Sequence, residues 1–462
     1  MIGIRNIYRL ILRSFYKVAS ASFASKLISF LNNLLLARLI APELFGKIAV
    51  VLVIFSISNF IVSGGMSTSI IRYNITSQQH LNIIFTFNIF LGIISYLIIY
   101  LSAPYVSYYF SDDDLTWIVR IMALDIVFKS TYVVRSAIAK KQLDFQTLAV
   151  VEVTSAICVL IISLLLAINN YHLQALSFKF IVGGLVSAIM FSLMLSGSYN
   201  LSFDFKVIKT PLLYGLNVMV LGIINSFTRN IPVLRIAEIF SMSAVGFFSQ
   251  SMVLVEMGLG TLQISLQKVI FPVLSKNKNI LTRLDVKEFY RTFLFIFVPS
   301  HLIFFLSIDK LVYLAYGVAW NDVASFAKYF VLVMPIRFFQ SYLLAIVKLY
   351  KSARAYLFQG ILKVTLMTLP FYLFIFDEIS DYISLIIFAE SLLLVVLLLL
   401  VRKEMSTFDN LVYPISILWT SLSCYMVLLD LNNVNFVLIF LVYLISFFGS
   451  LIGYKRYYAL PK

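Results

Sequence analysis

Apolar runs about 20 residues long recur along this chain, and that length constrains the fold more than any other feature. A helix rises 1.5 Å per residue, so about 20 residues cross a hydrocarbon core roughly 30 Å thick. Inside lipid each backbone N–H and C=O must be satisfied within the segment, which makes runs of this length helices. They fall near 18–40, 47–65, 82–104, 115–139, 146–168 and 173–195. A second series lies near 211–239, 244–273, 289–308, 323–347, 355–376, 382–401, 411–430 and 435–454. That is about 14 spans. Only 12% of the 462 residues are charged and 61% are hydrophobic, too little polar surface for a water-facing globule. The chain reads as an all-α, polytopic membrane protein; disordered, fibrous and disulfide-rich secreted classes are excluded.

Lys plus Arg exceed Asp plus Glu by 36 − 21 = 15. In a soluble protein this excess would suggest nucleic acid, but here it lies mostly in short loops, so it is assigned to topology and anionic lipid. Basic clusters such as Lys140 and Lys141, Lys206 and Lys209, Lys348 to Arg354, and Arg402 and Lys403 fall at alternate breaks, on the side of the basic N-terminus. Acidic breaks, including Asp112, Asp113 and Asp114, alternate with them and read as solvated outer loops. Both termini are therefore expected in the cytoplasm. Arg5, Arg9, Arg13 and Lys17 recur every four residues beside apolar positions, the pattern of an interfacial helix over 1–17. Cys158 and Cys424 lie within apolar runs and support neither disulfide nor zinc.

An internal repeat organises the spans. The frame ending in Gly46 returns 200 positions later, ending in Gly246. At an offset of 208, Asp114 matches Asp322, Arg120 matches Lys328, Lys129 matches Arg337 and Lys140 matches Lys348. The expected organisation is a six-helix lobe over 18–195, a cytoplasmic linker over 196–210, a second six-helix lobe over 211–401, and two added helices over 411–454. Parallel repeats of this kind enclose a central cavity and work by rocking.

A charge at mid-bilayer costs roughly 2.5–3.5 kcal/mol on insertion scales, so each one needs a reason. Lys26, Lys129, Lys179, Arg229 and Arg337 are the candidates for substrate contact, since cations in a cavity suit an anionic group. Asp125, Glu152, Glu256 and Glu390 are the carboxylates immersed deeply enough for a proton or ion route. Local pairing offers the plainer reading for Asp125 with Lys129 at i, i+4. Arg235 with Glu238 reads as structural, and Arg38, Arg135 and Lys268 as snorkelling. Neither Lys26 nor Arg337 has an acid nearby in sequence, so each needs a distant partner or a substrate. His80, His172 and His301 read as boundary residues.

No loop exceeds about 20 residues and no phosphate-binding loop is present. That weighs against a polymerase or other membrane enzyme, and no cofactor or metal is expected. A cation-coupled drug antiporter remains an alternative, against which the surplus of cations argues.

Several strings carry a family resemblance. Ala37-Arg-Leu-Ile-Ala-Pro-Glu-Leu-Phe-Gly46 resembles the first-loop signature of Wzx-type bacterial polysaccharide flippases, particularly the colanic-acid and teichuronic-acid exporter branch. Gly64-Gly-Met-Ser-Thr-Ser-Ile-Ile-Arg72, Thr228-Arg-Asn230, Phe271-Pro-Val-Leu-Ser275 and Gly317-Val-Ala-Trp320 resemble later stretches of the same family. The chain departs from that pattern at Pro232 and Glu238. The resemblance implies an exporter fold that moves undecaprenyl-diphosphate-linked oligosaccharide across the bacterial inner membrane by alternating access. It also implies a place beside a polysaccharide polymerase and a chain-length regulator in O-antigen, capsule or exopolysaccharide synthesis.

Overall fold

The computed structural model describes residues 24–142, 144–195, 197, 199–260, 297–350, 353–373 and 378–401. The expectations for the helix at 1–17, Lys268, residues 271–275, Cys424 and the spans 411–430 and 435–454 lie outside those residues. All regular elements among the described residues are helical: α1 (24–39), α2 (Pro42–Ser63), α3 (Met66–Arg72), α4 (Gln78–Phe110), α5 (Asp114–Lys141), α6 (Phe145–Ile168) and α7 (His172–Met194). They continue as α8 (Lys209–Ile239), α9 (Met242–Val255), α10 (Val298–Ala315), α11 (Asn321–Tyr350), α12 (Ala353–Leu373) and α13 (Ile379–Val401). Seven segments among these residues are long and apolar enough to cross a membrane. The expectation of an all-α, multi-pass membrane protein holds.

Local chemistry sets the helix ends. Pro42 opens α2, where its missing N–H costs nothing, and Gly64 (φ 50°) and Gly65 (φ 64°) end it in left-handed geometry before α3 begins. The Asp144 carboxylate accepts from the Thr147 N–H at 3.1 Å and caps α6. The Lys141 ammonium, in the last turn of α5, donates to the Ile75 carbonyl at 2.7 Å.

The chain divides into two compact units, Met1–Gly246 and Phe247–Lys462. In the first, α5 packs against α2, α3, α4 and α7, and α8 runs along α2. This enclosure suits α5, whose apolar surface is interrupted by Arg120, Asp125, Lys129 and Arg135. Leu115, Ile118, Val119, Met122, Ala123 and Ile126, at helical spacing, form its buried stripe, and Asp125 is buried beside them. In the second unit α11 packs against α10 and α13, and α12 against α13. Trp320, 1% exposed, packs on Tyr316 and Phe247 there. His301 is buried too, and its ring nitrogen meets the Val331 carbonyl at 2.7 Å. It ties α10 to α11.

Between helices in lipid there is little apolar surface to remove from water, so close packing of small residues carries more of the association. The repeat glycines supply it. A Cβ on Gly46 would lie 1.8 Å from the Met242 carbonyl oxygen, and one on Gly246 would lie 2.1 Å from that of Pro42. Positions 42 and 242 are separated by the same 200 residues as 46 and 246, so the contact is self-complementary, as in a two-fold interface. At the other end of α2, a Cβ on Gly65 would meet the Gly215 oxygen at 2.0 Å. Between these points Ser226 donates to Ser56 at 2.8 Å, and the Asn230 amide donates to Ser56 at 2.9 Å.

Candidate functional site

In the first unit, α5 brings two of the expected residues together. The Asp125 carboxylate lies 2.5 Å from the Lys129 ammonium, one helical turn away. Asp125 is nearly enclosed, its side chain 3% exposed, while that of Lys129 is 29% exposed. Gly184 of α7 makes the room: a Cβ there would lie 2.2 Å from Asp125 Oδ1. That oxygen has no hydrogen-bond partner.

Lys179 is placed differently. It is half-buried on α7, and its ammonium lies 5.1 Å from the Phe180 ring centroid. Among the described residues no carboxylate pairs with it. A cation so placed in a membrane helix calls for a negative charge from elsewhere. Lys26 is exposed on α1, Arg229 exposed on α8 and Glu152 exposed on α6. Asn230, the neighbour of Arg229, faces α2, so the Thr228-Arg-Asn230 string divides its work between a helix-to-helix tie and an exposed guanidinium.

The second unit joins residues expected to act separately. Arg337 of α11 donates through Nε to Glu390 Oε1 of α13 at 3.1 Å, and Lys363 Nζ of α12 lies 3.9 Å from the same oxygen. Gln340 donates to the Glu390 carbonyl at 2.8 Å. Glu390 is 1% exposed and is clamped by cations from two helices. Arg337 therefore has its acid after all, 53 positions along the chain. Glu256 lies half-buried on a single π turn, Glu256–Gly260, that continues α9.

Two charged groups escaped the sequence reading. Lys363 is a lone cation in a long apolar run, which is the signal that marks it. Lys47, at the start of the second apolar run, is buried and gathers the acidic break: it lies 2.9 Å from Asp112 and 2.6 Å from Asp114, with Glu43 at 3.7 Å. Asp112, with its side chain 15% exposed, is a half-buried ion-pair member and not a fully solvated loop residue. Asp125 and Lys129 form one ion pair and Arg337 and Glu390 another. No group of His, Cys, Asp and Glu among the described residues is arranged to hold a metal.

Comparison with known proteins adds a family and a fold. A family model described as "Polysaccharide biosynthesis protein" matches residues 35–325. A Klebsiella pneumoniae protein described as "Uncharacterized membrane protein in cps region" is 21% identical over 307 residues, covering 65% of this chain and 63% of its own length. The Escherichia coli K12 "Lipopolysaccharide biosynthesis protein WzxC" is 23% identical over 298 residues, covering 62% and 59%. The chain thus spans less than two thirds of either relative. The solved structure of the lipid II flippase MurJ, in an inward closed conformation, superimposes with a TM-score of 0.72 at 13% identity, covering 96% of this chain and 99% of that one. An inward-facing MATE family multidrug transporter of the MOP superfamily gives 0.59 at 11%, covering 82% and 94%. At such identities the two structures show the fold alone.

Proposed function

The chain belongs to the polysaccharide biosynthesis protein family, and we propose on that premise that it is a flippase for lipid-linked polysaccharide repeat units. It carries undecaprenyl-diphosphate-linked oligosaccharide from the inner to the outer leaflet of the bacterial inner membrane by alternating access. No covalent bond is made or broken. The relatives' names support the pathway, and the fold shared with a lipid flippase supports the mode of action.

One observation favours this reading over a cation-exporting antiporter: the most deeply buried acids are occupied while a cation is not. Asp125 is held by Lys129, and Glu390 by Arg337 and Lys363, whereas Lys179 faces no carboxylate among the described residues. Such a balance suits a diphosphate or an acidic sugar and penalises a cationic drug. Lys179, Arg229 and Lys26 are the substrate-contacting residues in this reading. Lys129 and Arg337 are further candidates for substrate contact, each paired to an acid within its own unit, and Glu152 and Glu256 are the remaining candidates for ion coupling. The reading carries with it both termini in the cytoplasm and lobes over 18–195 and 211–401. A polymerase and a chain-length regulator act on the delivered units.

The test is a deletion strain in which surface polysaccharide is displayed by antibody and lipid-linked repeat units are assayed in each leaflet. Complete units trapped on the cytoplasmic side support flipping. Units that reach the outer face but stay unpolymerised overturn it in favour of a polymerase, and unchanged display overturns it in favour of the antiporter.

A further inference from the structure

A cleft of about 510 Å³ lies at the junction of α4 and α5, apart from the residues assigned to the transported substrate. It is lined by Tyr96 and Tyr100 of α4 and by Thr116, Trp117 and Arg120 of α5, with Asp113 at its mouth. Pro104 explains how Arg120 is held. Proline has no N–H, so the Tyr100 carbonyl four residues earlier lacks its helical donor. Arg120 Nε donates to that carbonyl at 3.5 Å, and its guanidinium lies 4.6 Å from the Tyr100 ring centroid. The four N–H groups on its two Nη atoms remain unused. Among the described residues no carboxylate pairs with Arg120. Its repeat counterpart, Lys328, is neutralised by Asp309 at 2.9 Å.

The surroundings say what kind of molecule would bring the missing charge. Tyr105 and Tyr108 on the last turns of α4 are 76% and 88% exposed, the placement of an aromatic belt at a membrane interface. Arg120, six residues into α5, lies roughly 9 Å inward of that helix's start, within reach of the interface for a side chain of its length. Beside the cleft Ile93, Leu97 and Leu101 form an exposed apolar stripe at i, i+4 spacing, a surface for an acyl chain. Asp113 stands seven residues before Arg120, roughly 10 Å along the helix axis. Its neighbours Asp112 and Asp114 are taken by Lys47, and its own side chain is exposed without a cationic partner.

We propose that the α4–α5 cleft binds the headgroup of an aminophospholipid, with Arg120 on the phosphate, Asp113 on the ammonium and the Ile93–Leu101 stripe along an acyl chain. A lipid phosphate has two sources here, the membrane itself or the lipid carrier of the substrate. The deep cation and the acid at the mouth match a phosphate followed by an ammonium, which selects the former. The site rests on the chain's lying in a membrane and not on what it transports.

The test is native mass spectrometry of the purified full chain titrated with phosphatidylethanolamine, phosphatidylglycerol and undecaprenyl diphosphate. Phosphatidylethanolamine is expected to bind in preference, at least about tenfold weaker in Arg120→Gln, through loss of a charge-assisted bond, and several-fold weaker in Asp113→Asn. The exposed rim position of Asp113 keeps the question answerable should Arg120→Gln fail to fold. Arg120-dependent binding of undecaprenyl diphosphate or phosphatidylglycerol, unweakened by Asp113→Asn, would overturn the aminolipid assignment. Binding indifferent to both substitutions would remove the site altogether. Because the assay reads no transport, failed flipping and a failed lipid site are separate results.

Discussion

Lys129 and Arg337 stand at equivalent positions of the repeat, yet they are neutralised in different ways. In the first unit the acid, Asp125, is one turn away on the same helix. In the second it comes from α13, and α12 adds Lys363. Arg120 and Lys328 differ likewise, one without a described carboxylate and the other paired with Asp309. The repeat therefore holds the place of the cation, while the counter-charge is a local solution. A pair within one helix survives any shift between helices. A network across three helices fixes them to one another, so the second unit depends more heavily on its charges.

The largest effect should come from the cross-helix network. Glu390→Gln leaves Arg337 and Lys363 facing each other at membrane depth, and a broken buried pair costs about 3–5 kcal/mol. The thermal midpoint of the purified protein should fall sharply, and Arg337→Gln combined with Glu390→Gln should recover much of it. A double variant no better than the single would break the comparison.

Next come the repeat glycines. Gly46→Leu forces α2 from Met242, and overpacking of this kind costs about 1–3 kcal/mol. Gly360→Leu, where an added Cβ meets nothing within 4 Å, should leave the midpoint unchanged. Equal midpoints for the two variants would deny the close contact.

Asp125→Asn should cost less than Glu390→Gln, about 1–2 kcal/mol, because it leaves one cation on its own helix, whereas Glu390→Gln leaves two cations from neighbouring helices without their shared acid. The same thermal unfolding measurement ranks the two, and the reverse order would contradict the contrast between units. Lys328→Met is expected to cost least, about 0–1 kcal/mol, since the Asp309 side chain is 63% exposed and exposed pairs contribute little.

Much of this was legible in the chain itself, for identifiable reasons. Helix length against bilayer thickness gave the class of fold, and the i, i+4 spacing of Asp125 and Lys129 gave their pair. The repeat marked Gly46 and Gly246, although nothing in a one-dimensional frame says that the two glycines meet near one another's helix. Contacts distant in sequence stayed hidden. Glu390 reaches Arg337 across 53 positions and Lys47 reaches Asp112 across 65, and no local periodicity encodes which helices become neighbours. Lys363 was passed over inside an apolar run, though its isolation there is the feature that should have singled it out.

The sign of the transported charge tests the central claim most directly. Proteoliposomes holding the full chain would be given a fluorescent undecaprenyl-diphosphate-linked oligosaccharide and, separately, a cationic dye, with Lys179→Gln beside the unaltered protein. The expected result is translocation of the anionic lipid-linked unit, slowed about tenfold or more by loss of a charge-assisted contact in Lys179→Gln, and no movement of the dye. Export of the dye with the lipid-linked unit left in its original leaflet would contradict it.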